Sequence, residues 1–314
     1  MQRLPWHNDY PLDADRVAVI VRGDLAGELA VAHVEPLGEG WDFSTFLVDD
    51  EWVFRFPKRR QAARQLARER KLLAALAPAF ADQPIAIPSY RFSVTTSTGF
   101  PLAYVGYRFL RGVPLLECDL DAIDGTAVGA QLGEFLARLE RAAPAPRPRI
   151  YHDPFPSDWF EFRRELSDAK ASLPEHLAAA CERLLATTPK RDENPPLFQH
   201  CDLGAEHILV DPADGRIAAV IDWGDAGWGN PVADLVGLWT WGGDGAVQAA
   251  LPTWGHRLSP DDWIRLRSWG AAYAIGSAYY GYKDGRERLH ATAIGWLDRM
   301  NRQGQLLDPA TPDR

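Results

Sequence analysis

The chain has 314 residues, of which 46% are hydrophobic and 25% charged, so it is long enough for two lobes that each bury a core. Its formal net charge of −9 argues against nucleic-acid binding, which usually leaves a basic footprint. The acidity suits a polycationic substrate, although it serves solubility equally well. Three cysteines without metal-ligand spacing, no visible signal peptide and no apolar run of membrane-spanning length predict a soluble, cytoplasmic protein, which we expect to be a monomer.

Two glycines separated by one residue mark the first turn of interest. Gly38 and Gly40 lie between strand-like runs, which predicts a hairpin whose tip could approach phosphates, although a plain β-turn gives the same pattern. In the strand predicted next, at 51–57, apolar residues alternate with period two and place Arg55 on the opposite face from three aromatic side chains. Arg55 is therefore either an edge-strand solubility device or a buried ligand for anions.

A helix is predicted from Arg60 to Phe80. Four large apolar side chains share one of its faces, namely Leu66, Leu73, Leu76 and Phe80. Glu69 lies on that same face, where a carboxylate is costly unless it is paired. We expect Arg55 to be its partner, the alternative being that Glu69 lies at the edge of the stripe and reaches water. An Arg–Glu pair between a strand and the next helix is typical of nucleotide phosphate binding in protein-kinase-like folds.

Helical spacing predicts further helices at 127–141, 159–173 and 174–187, with a proline-rich connector at 143–156. Ser259-Pro260-Asp261-Asp262 is a helix-start signal, and the segments after it are predicted to be helical up to Met300. Aromatic residues concentrate in this last third. We expect most of them in the core and some against a sugar or macrolactone: Trp239, Trp241, Trp254, Trp263, Trp269, Tyr273, Tyr279, Tyr280 and Tyr282.

A β-hairpin is predicted where two apolar runs, 207–211 and 216–221, flank the turn signal at 212–215. If Asp211 pairs with Arg216, the antiparallel register brings the residues before the first strand close to those after the second. Polar groups from both sides would then meet at the open end of the hairpin.

The polar groups at that end are Asp202, His207 and Asp222. Taken singly, the acids could be ordinary turn residues, and the neighbouring His200 could be a buried structural histidine. Together they offer a carboxylate that orients a hydroxyl beside two possible metal ligands, which suits phosphoryl transfer because that reaction depends on positioning and charge neutralisation. A metal-dependent hydrolase with His200, Asp202, His207 and Asp222 as ligands is the alternative, although it would not need the glycine turn or the Arg–Glu pair.

These motifs resemble those of the bacterial antibiotic phosphotransferases, the aminoglycoside and macrolide O-phosphotransferases, whose fold is similar to that of eukaryotic protein kinases. The segments that carry the resemblance follow one order along the chain: 37–42, 52–57, Glu69, 106–115, 200–211 and 221–226. The resemblance implies an α+β, protein-kinase-like bilobal fold. A small β-rich nucleotide-binding lobe would span 1–110 and end in a hinge, and a larger, mostly helical lobe at 111–314 would carry the catalytic hairpin and the acceptor site.

The resemblance also implies roles. Asp202 would be the catalytic base or hydroxyl orienter, with His200 in the same catalytic segment, and His207 and Asp222 would be magnesium ligands. The nucleotide-binding and supporting positions would be Gly38, Gly40, Arg55, Glu69, the backbone around Arg108 and Leu110, and Asp234 as a brace for the catalytic loop.

Two positions depart from the protein-kinase pattern. Arg55 replaces the usual lysine, but its planar guanidinium can still bind phosphate. His207 replaces asparagine, and because magnesium prefers oxygen, it would hold one of two metals or act through water.

The predicted activity is transfer of the γ-phosphate of ATP or GTP to a hydroxyl of an aminoglycoside or macrolide antibiotic, with Mg²⁺ as cofactor. A kinase of an amino sugar, a choline-like alcohol or homoserine is the alternative within this fold. A non-catalytic nucleotide-binding module is disfavoured because the sequence has a residue for every polar position that the reaction requires. The expected partners are a nucleoside triphosphate and a hydroxylated small molecule, without nucleic acid or membrane.

Overall fold

The computed structural model describes residues 7–144, 159–186 and 195–312, and the chain divides into two compact units. The first contains the chain up to Arg111 together with 219–224, and the second contains 112–218 and the chain from Asp225 onwards. The predicted α+β class, with a β-rich part and a larger helical part, is confirmed. The assignment of nucleotide and acceptor binding to separate domains stays a prediction. No helix of the described residues is long and apolar enough to cross a membrane.

The first unit is built on a five-stranded antiparallel sheet with the strand order β1-β2-β3-β5-β4. Its elements in chain order are α1 (Ala14–Asp24), β1 (Val34–Glu39), β2 (Phe43–Val48), β3 (Trp52–Pro57), α2 (Arg60–Phe80), β4 (Tyr90–Val94) and β5 (Tyr104–Arg108). The hairpin predicted around the two glycines and the helix predicted from Arg60 to Phe80 are both confirmed.

The two faces of β3 explain how a cation comes to lie inside this unit. Phe54 and Phe56 enter the core that includes α1, and Phe56 stacks on Tyr104 with ring centroids 4.4 Å apart. Arg55 points to the other face, so the predicted alternation is confirmed. Because β3 lies in the middle of the sheet and Arg55 is 6% exposed, an edge-strand solubility role is excluded.

The second unit is mainly helical. Its helices are α3 (Gly125–Arg141), α4 (Trp159–Ala169), α5 (Glu175–Ala186), α6 (Ala233–Trp254), α7 (Pro260–Lys283) and α8 (Glu287–Arg302). Its strands are β6 (Val113–Pro114), β7 (Leu197–Gln199), β8 (Ile208–Val210), the start of β9 (Ile217–Val220) and β10 (Gly227–Gly229). The predicted helices are therefore confirmed within a few residues, and the proline-rich connector at 143–156 falls almost entirely outside the described residues.

Close backbone contacts and a strong cap position the long helices. A Cβ at Gly129 would lie 2.1 Å from the carbonyl oxygen of Ala246, so α3 and α6 touch along their backbones. The helix-start signal is confirmed, because Ser259 and Asp262 form a reciprocal capping box at the start of α7.

The aromatic residues of the last third are less buried than expected. Only Trp239 and Trp254 of the nine are fully buried, and Tyr282 is 54% exposed. The expectation that most belong to the core was wrong because several lie at the boundary, where the ring packs and the polar tip finds a partner. The hydroxyl of Tyr280, for example, donates to Glu165 at 2.6 Å.

Candidate active site

Arg55 is the centre of a charged cluster in the first unit. Its Nη1 donates to Oε1 of Glu69 at 2.7 Å, and its Nη2 donates to Oδ1 of Asp222 at 2.8 Å. The guanidinium also lies over the Phe43 ring, 4.1 Å from its centroid. The predicted Arg55–Glu69 contact is therefore present, and the structure adds a contact with a proposed metal ligand.

Tyr90 completes this cluster, and sequence reasoning did not identify it. Its hydroxyl donates to Oε1 of Glu69 at 2.7 Å and accepts from Nη1 of Arg55 at 3.1 Å. Tyr90 begins β4 without a distinctive neighbour, so only the strand order β3-β5-β4 could have placed it here.

Burial and opposite charges set the ionisation of this cluster. Burial acts to lower the pKa of Arg55, but the charges of Glu69 and Asp222 outweigh it and raise that pKa well above its ordinary value. Burial raises the pKa of Glu69, against the opposing charge of Arg55. Arg55 thus stays a cation that two acids hold in a fixed direction.

Asp222 reaches Arg55 from a constrained turn. Its backbone is left-handed, with φ of 62°, an arrangement that costs a non-glycine residue about 1–3 kcal/mol and is common at functional sites. The turn is anchored because Val220 N donates to Ala86 O at 2.9 Å and the buried Trp223 donates from Nε1 to Val220 O at 3.0 Å. The side chain of Asp222 remains 42% exposed, so the carboxylate is accessible to a ligand.

The other proposed nucleotide-binding positions lie at the ends of strands. Gly38 is exposed near the end of β1, where it pairs with Thr45. Gly40 is exposed in the β1–β2 turn, where its N–H donates to Phe43 O at 3.0 Å. Arg108 ends β5, and its side chain pairs with Glu51 at 2.9 Å. Leu110 packs on a buried cluster formed by Leu47, Val53 and Tyr107. Their role in nucleotide binding stays a prediction.

Asp234 holds the backbone of the segment that we predicted to be catalytic, in the second unit. Its Oδ2 accepts from the backbone N–H of His200 at 2.8 Å, and its Oδ1 accepts from that of Cys201 at 2.7 Å. Burial raises the pKa of Asp234 to about 7, against the two N–H donors that lower it. The backbone N–H of Asp234 donates in turn to Gln199 Oε1 at 2.9 Å, a support that the sequence did not indicate. The Asp234 carboxylate therefore makes the contacts with the loop backbone that we predicted for a structural brace.

Further close contacts hold the same loop. A Cβ at Gly237 would lie 2.1 Å from Leu203 O, so α6 packs directly on the loop backbone. Cys201 adopts a left-handed conformation with φ of 66°, and burial strongly raises the pKa of its thiol. Cys201 therefore lacks the lowered pKa that marks a nucleophilic cysteine. His200 is fully buried and donates its backbone N–H to Asp234, while its predicted catalytic role stays a prediction.

Asp202 and His207 lie together on this loop. Nδ1 of His207 is 2.8 Å from the carbonyl oxygen of Asp202 and 3.5 Å from its Oδ2. A proton on Nδ1 satisfies the carbonyl and leaves the ring lone pair on Nε2, the atom that would meet a metal. The predicted hairpin follows, since Asp211 N donates to Arg216 O at 2.8 Å. Asp222 belongs to the first unit, so its predicted convergence with these two residues stays a prediction.

Glu206, between Asp202 and His207, is a third residue that the sequence did not single out, after Tyr90 and Gln199. Its carboxylate accepts from the hydroxyl of Tyr273 on α7 at 2.8 Å. The described ranges contain no group of three or more His, Cys, Asp or Glu side chains that could hold a metal. They therefore give no support to the four-ligand site of the hydrolase alternative.

Comparisons with known proteins agree with these features. Residues 33–269 match the family described as "Phosphotransferase enzyme family". Viomycin phosphotransferase from Streptomyces vinaceus is 26% identical over 294 residues, which cover 89% of this chain and 96% of that protein.

Two solved structures show the same fold. The GDP and kanamycin complex of APH(2'')-IIIa has a TM-score of 0.68 and 22% identity, and covers 91% of this chain and 98% of that chain. The macrolide 2'-phosphotransferase apoenzyme from Brachybacterium faecium has a TM-score of 0.60 and 24% identity, and covers 90% of this chain and 98% of that chain. The predicted resemblance and the protein-kinase-like fold are therefore confirmed.

Proposed function

The chain belongs to the phosphotransferase enzyme family, and we propose that it transfers the γ-phosphate of ATP or GTP to a hydroxyl group of a small-molecule antibiotic. The main observation in support of the proposal is that the buried Arg55 lies between two acids. Its Nη1 is 2.7 Å from Oε1 of Glu69, and its Nη2 is 2.8 Å from Oδ1 of Asp222. A fixed cation beside an accessible carboxylate supplies what a bound nucleotide needs, namely a partner for its phosphate oxygens and an oxygen ligand for its metal.

At the proposed nucleotide site, the planar guanidinium of Arg55 would donate to phosphate oxygens. Glu69 and Tyr90 hold this guanidinium in place. Asp222 and His207 would hold Mg²⁺, which neutralises charge on the phosphates. The half-exposed carboxylate of Asp222 fits this metal because magnesium prefers oxygen donors, and a ring nitrogen from His207 suits it less well.

On the acceptor side, Asp202 accepts the proton of the substrate hydroxyl. The hydroxyl oxygen forms the new bond to the γ-phosphorus, and the nucleoside diphosphate leaves with the electron pair of the broken P–O bond. Asp202 suits this role because its side chain is 39% exposed, whereas its loop is held by Asp234 and by the packing of α6.

The comparisons guide the choice of acceptor. One relative is a viomycin phosphotransferase, and the similar structures include a complex with kanamycin and a macrolide enzyme. We therefore place this chain among antibiotic kinases and ahead of kinases of choline-like alcohols or homoserine.

The test is a nucleoside diphosphate release assay with ATP and with GTP. The acceptors are viomycin, kanamycin, a macrolide, choline and homoserine, and mass spectrometry identifies the product. We expect one phosphoryl group on an antibiotic hydroxyl with the wild-type chain, and the same product at a rate about 10²- to 10⁴-fold lower with Asp202→Asn. Diphosphate release without a phosphorylated acceptor anywhere on the panel would overturn the proposal.

A further inference from the structure

Glu69 contacts the guanidinium of Arg55 through only one of its two carboxylate oxygens. Nη1 of Arg55 is 2.7 Å from Oε1, whereas Oε2 is buried and has no hydrogen-bond partner in the part of the chain that the structure describes. The bidentate pairing that usually fixes an arginine on a carboxylate is therefore not formed between these two residues. A single hydrogen bond sets the distance between the two groups but leaves the direction of the guanidinium open.

Tyr90 supplies a second point of attachment. Its hydroxyl donates to the same Oε1 of Glu69 at 2.7 Å and accepts from Nη1 of Arg55 at 3.1 Å, so the three groups form a closed triangle of hydrogen bonds. The two protons of Nη1 then have one acceptor each. Burial raises the pKa of Tyr90 well above its ordinary value, so its hydroxyl remains a protonated donor.

Packing fixes the ring that carries this hydroxyl. Tyr90 meets Tyr107 edge-on, with ring centroids 5.8 Å apart, and packs against a buried cluster that includes Phe43 and Leu66. Phe43 also lies against the guanidinium of Arg55, 4.1 Å from ring centroid to Cζ. The hydroxyl and one face of the guanidinium are therefore held by the same group of side chains.

These contacts give the two ends of the guanidinium different tasks. Nη1 is bound to residues of α2 and β4, whereas Nη2 donates to Asp222, whose side chain is 42% exposed. Nη2 is thus the end that a ligand can reach. If a metal takes Asp222 as its ligand, Nη2 loses this partner, and Glu69, Tyr90 and the Phe43 ring remain to set its direction.

We propose that Tyr90 is a positioning residue for phosphate binding, which together with Glu69 occupies Nη1 of Arg55 and directs Nη2 towards a phosphate oxygen of the nucleotide. This inference rests on the proposed phosphotransferase function. Tyr90 acts through Arg55 and not by contact with the nucleotide. Its effect should therefore depend on the phosphates of the ligand and on the presence of Arg55.

The test uses Tyr90→Phe, which keeps the ring and its packing but removes the hydroxyl. Calorimetric titration gives its Kd for the magnesium complex of ATP or GTP, whichever the wild type binds, and for the corresponding nucleoside. We expect the Kd for the triphosphate to rise about tenfold or more, the size expected for one hydrogen bond to charged groups. The Kd for the nucleoside, which has no phosphate, should stay at the wild-type value. In an Arg55→Met background, Tyr90→Phe should change neither constant.

Tyr104→Phe is the matched control. Tyr104 is a buried tyrosine of the same unit whose hydroxyl donates to Oδ2 of Asp24 at 3.0 Å, but it belongs to the core on the opposite face of the sheet. Its loss should lower the urea concentration at which the protein unfolds and leave both dissociation constants unchanged. If Tyr90→Phe does not fold, Tyr90→Leu removes the same hydroxyl, and the same comparison decides.

The outcomes separate this proposal from the function on which it rests. If Arg55→Met weakens triphosphate binding but Tyr90→Phe binds the triphosphate as the wild type does, the positioning role is overturned and the phosphotransferase function stands. An equal rise of both dissociation constants in Tyr90→Phe, or a full effect of Tyr90→Phe without Arg55, would also overturn the role. If the wild type binds neither ATP nor GTP, the proposed function fails as well.

Discussion

Nη2 of Arg55 donates to Oδ1 of Asp222 at 2.8 Å, so the cation proposed to bind phosphate is paired with the carboxylate proposed to bind metal. Both groups are needed by a metal–nucleotide complex, which carries anionic oxygens and a cation of its own. When that complex binds, Arg55 exchanges the Asp222 carboxylate for anionic phosphate oxygens, and Asp222 exchanges Arg55 for the metal cation. In the absence of nucleotide, the contact therefore neutralises the positive charge of Arg55 with the negative charge of Asp222.

Asp222→Asn should weaken binding of the magnesium–nucleotide complex, because an amide is a poorer ligand for Mg²⁺ than a carboxylate and a poorer partner for Arg55. His207→Ala should have a smaller effect, because nitrogen contributes less to a hard cation. Calorimetric titration of nucleotide at several magnesium concentrations measures both. The assignment fails if the magnesium dependence of both variants matches the wild type.

Arg55 and Glu69 should behave as a coupled pair in nucleotide binding. Arg55→Met leaves a buried carboxylate without its cation, and Glu69→Leu leaves Arg55 held by Asp222 and without its anchor on α2. The double variant should lose less affinity than the sum of the single variants, by about 1 kcal/mol or more. Nucleotide dissociation constants for the four proteins give the coupling. Strict additivity would show that the contact plays no part in binding.

Much of the first unit could be predicted because its signals are local. Period-two alternation placed Arg55 opposite the aromatic residues of β3, and a single acid in an apolar stripe identified Glu69 as its partner. Tyr90 could not be found in this way, because it reaches the pair through β4, which is not adjacent to β3 in the sheet.

The second unit shows the same division. The turn at 212–215 and the capping box at Ser259 are short-range signals, and both were predicted. The contact of Glu206 with Tyr273 spans 67 residues, so no local pattern marks it. The return of 219–224 to the first unit is likewise a property of the folded chain that hairpin spacing does not reveal.

Asp202→Asn should lower turnover about 10²- to 10⁴-fold, because an amide cannot accept the proton of the acceptor hydroxyl. Nucleotide affinity should change little, since the proposed role of Asp202 is to act on the acceptor. Turnover with saturating acceptor and nucleotide titration measure the two effects. Asp261→Asn, an exposed aspartate in the first turn of α7, is the matched control and should leave both unchanged. An equal loss of nucleotide affinity in Asp202→Asn would show that its role is misassigned.

Asp234 should make the stability of the protein depend on pH. Burial raises the pKa of Asp234 to about 7 in the folded protein, whereas the pKa of an aspartate in an unfolded chain is about 4. Between these values the folded state binds one more proton than the unfolded state. The free energy of unfolding therefore falls as the pH rises through this window, by at most about 1.4 kcal/mol per pH unit from this group.

Asp234→Asn removes this titration. It also turns an amide donor towards one of the two backbone N–H groups of His200 and Cys201, so it should destabilise the protein by about 1–3 kcal/mol near pH 5. The difference between wild type and variant should shrink as the pH rises towards 7, because only the wild type loses stability from this group. Urea unfolding of both proteins between pH 5 and 7.5 isolates the effect, since all other titrating groups are shared. Parallel stability curves would mean that Asp234 stays ionised throughout, with its two N–H donors outweighing its burial.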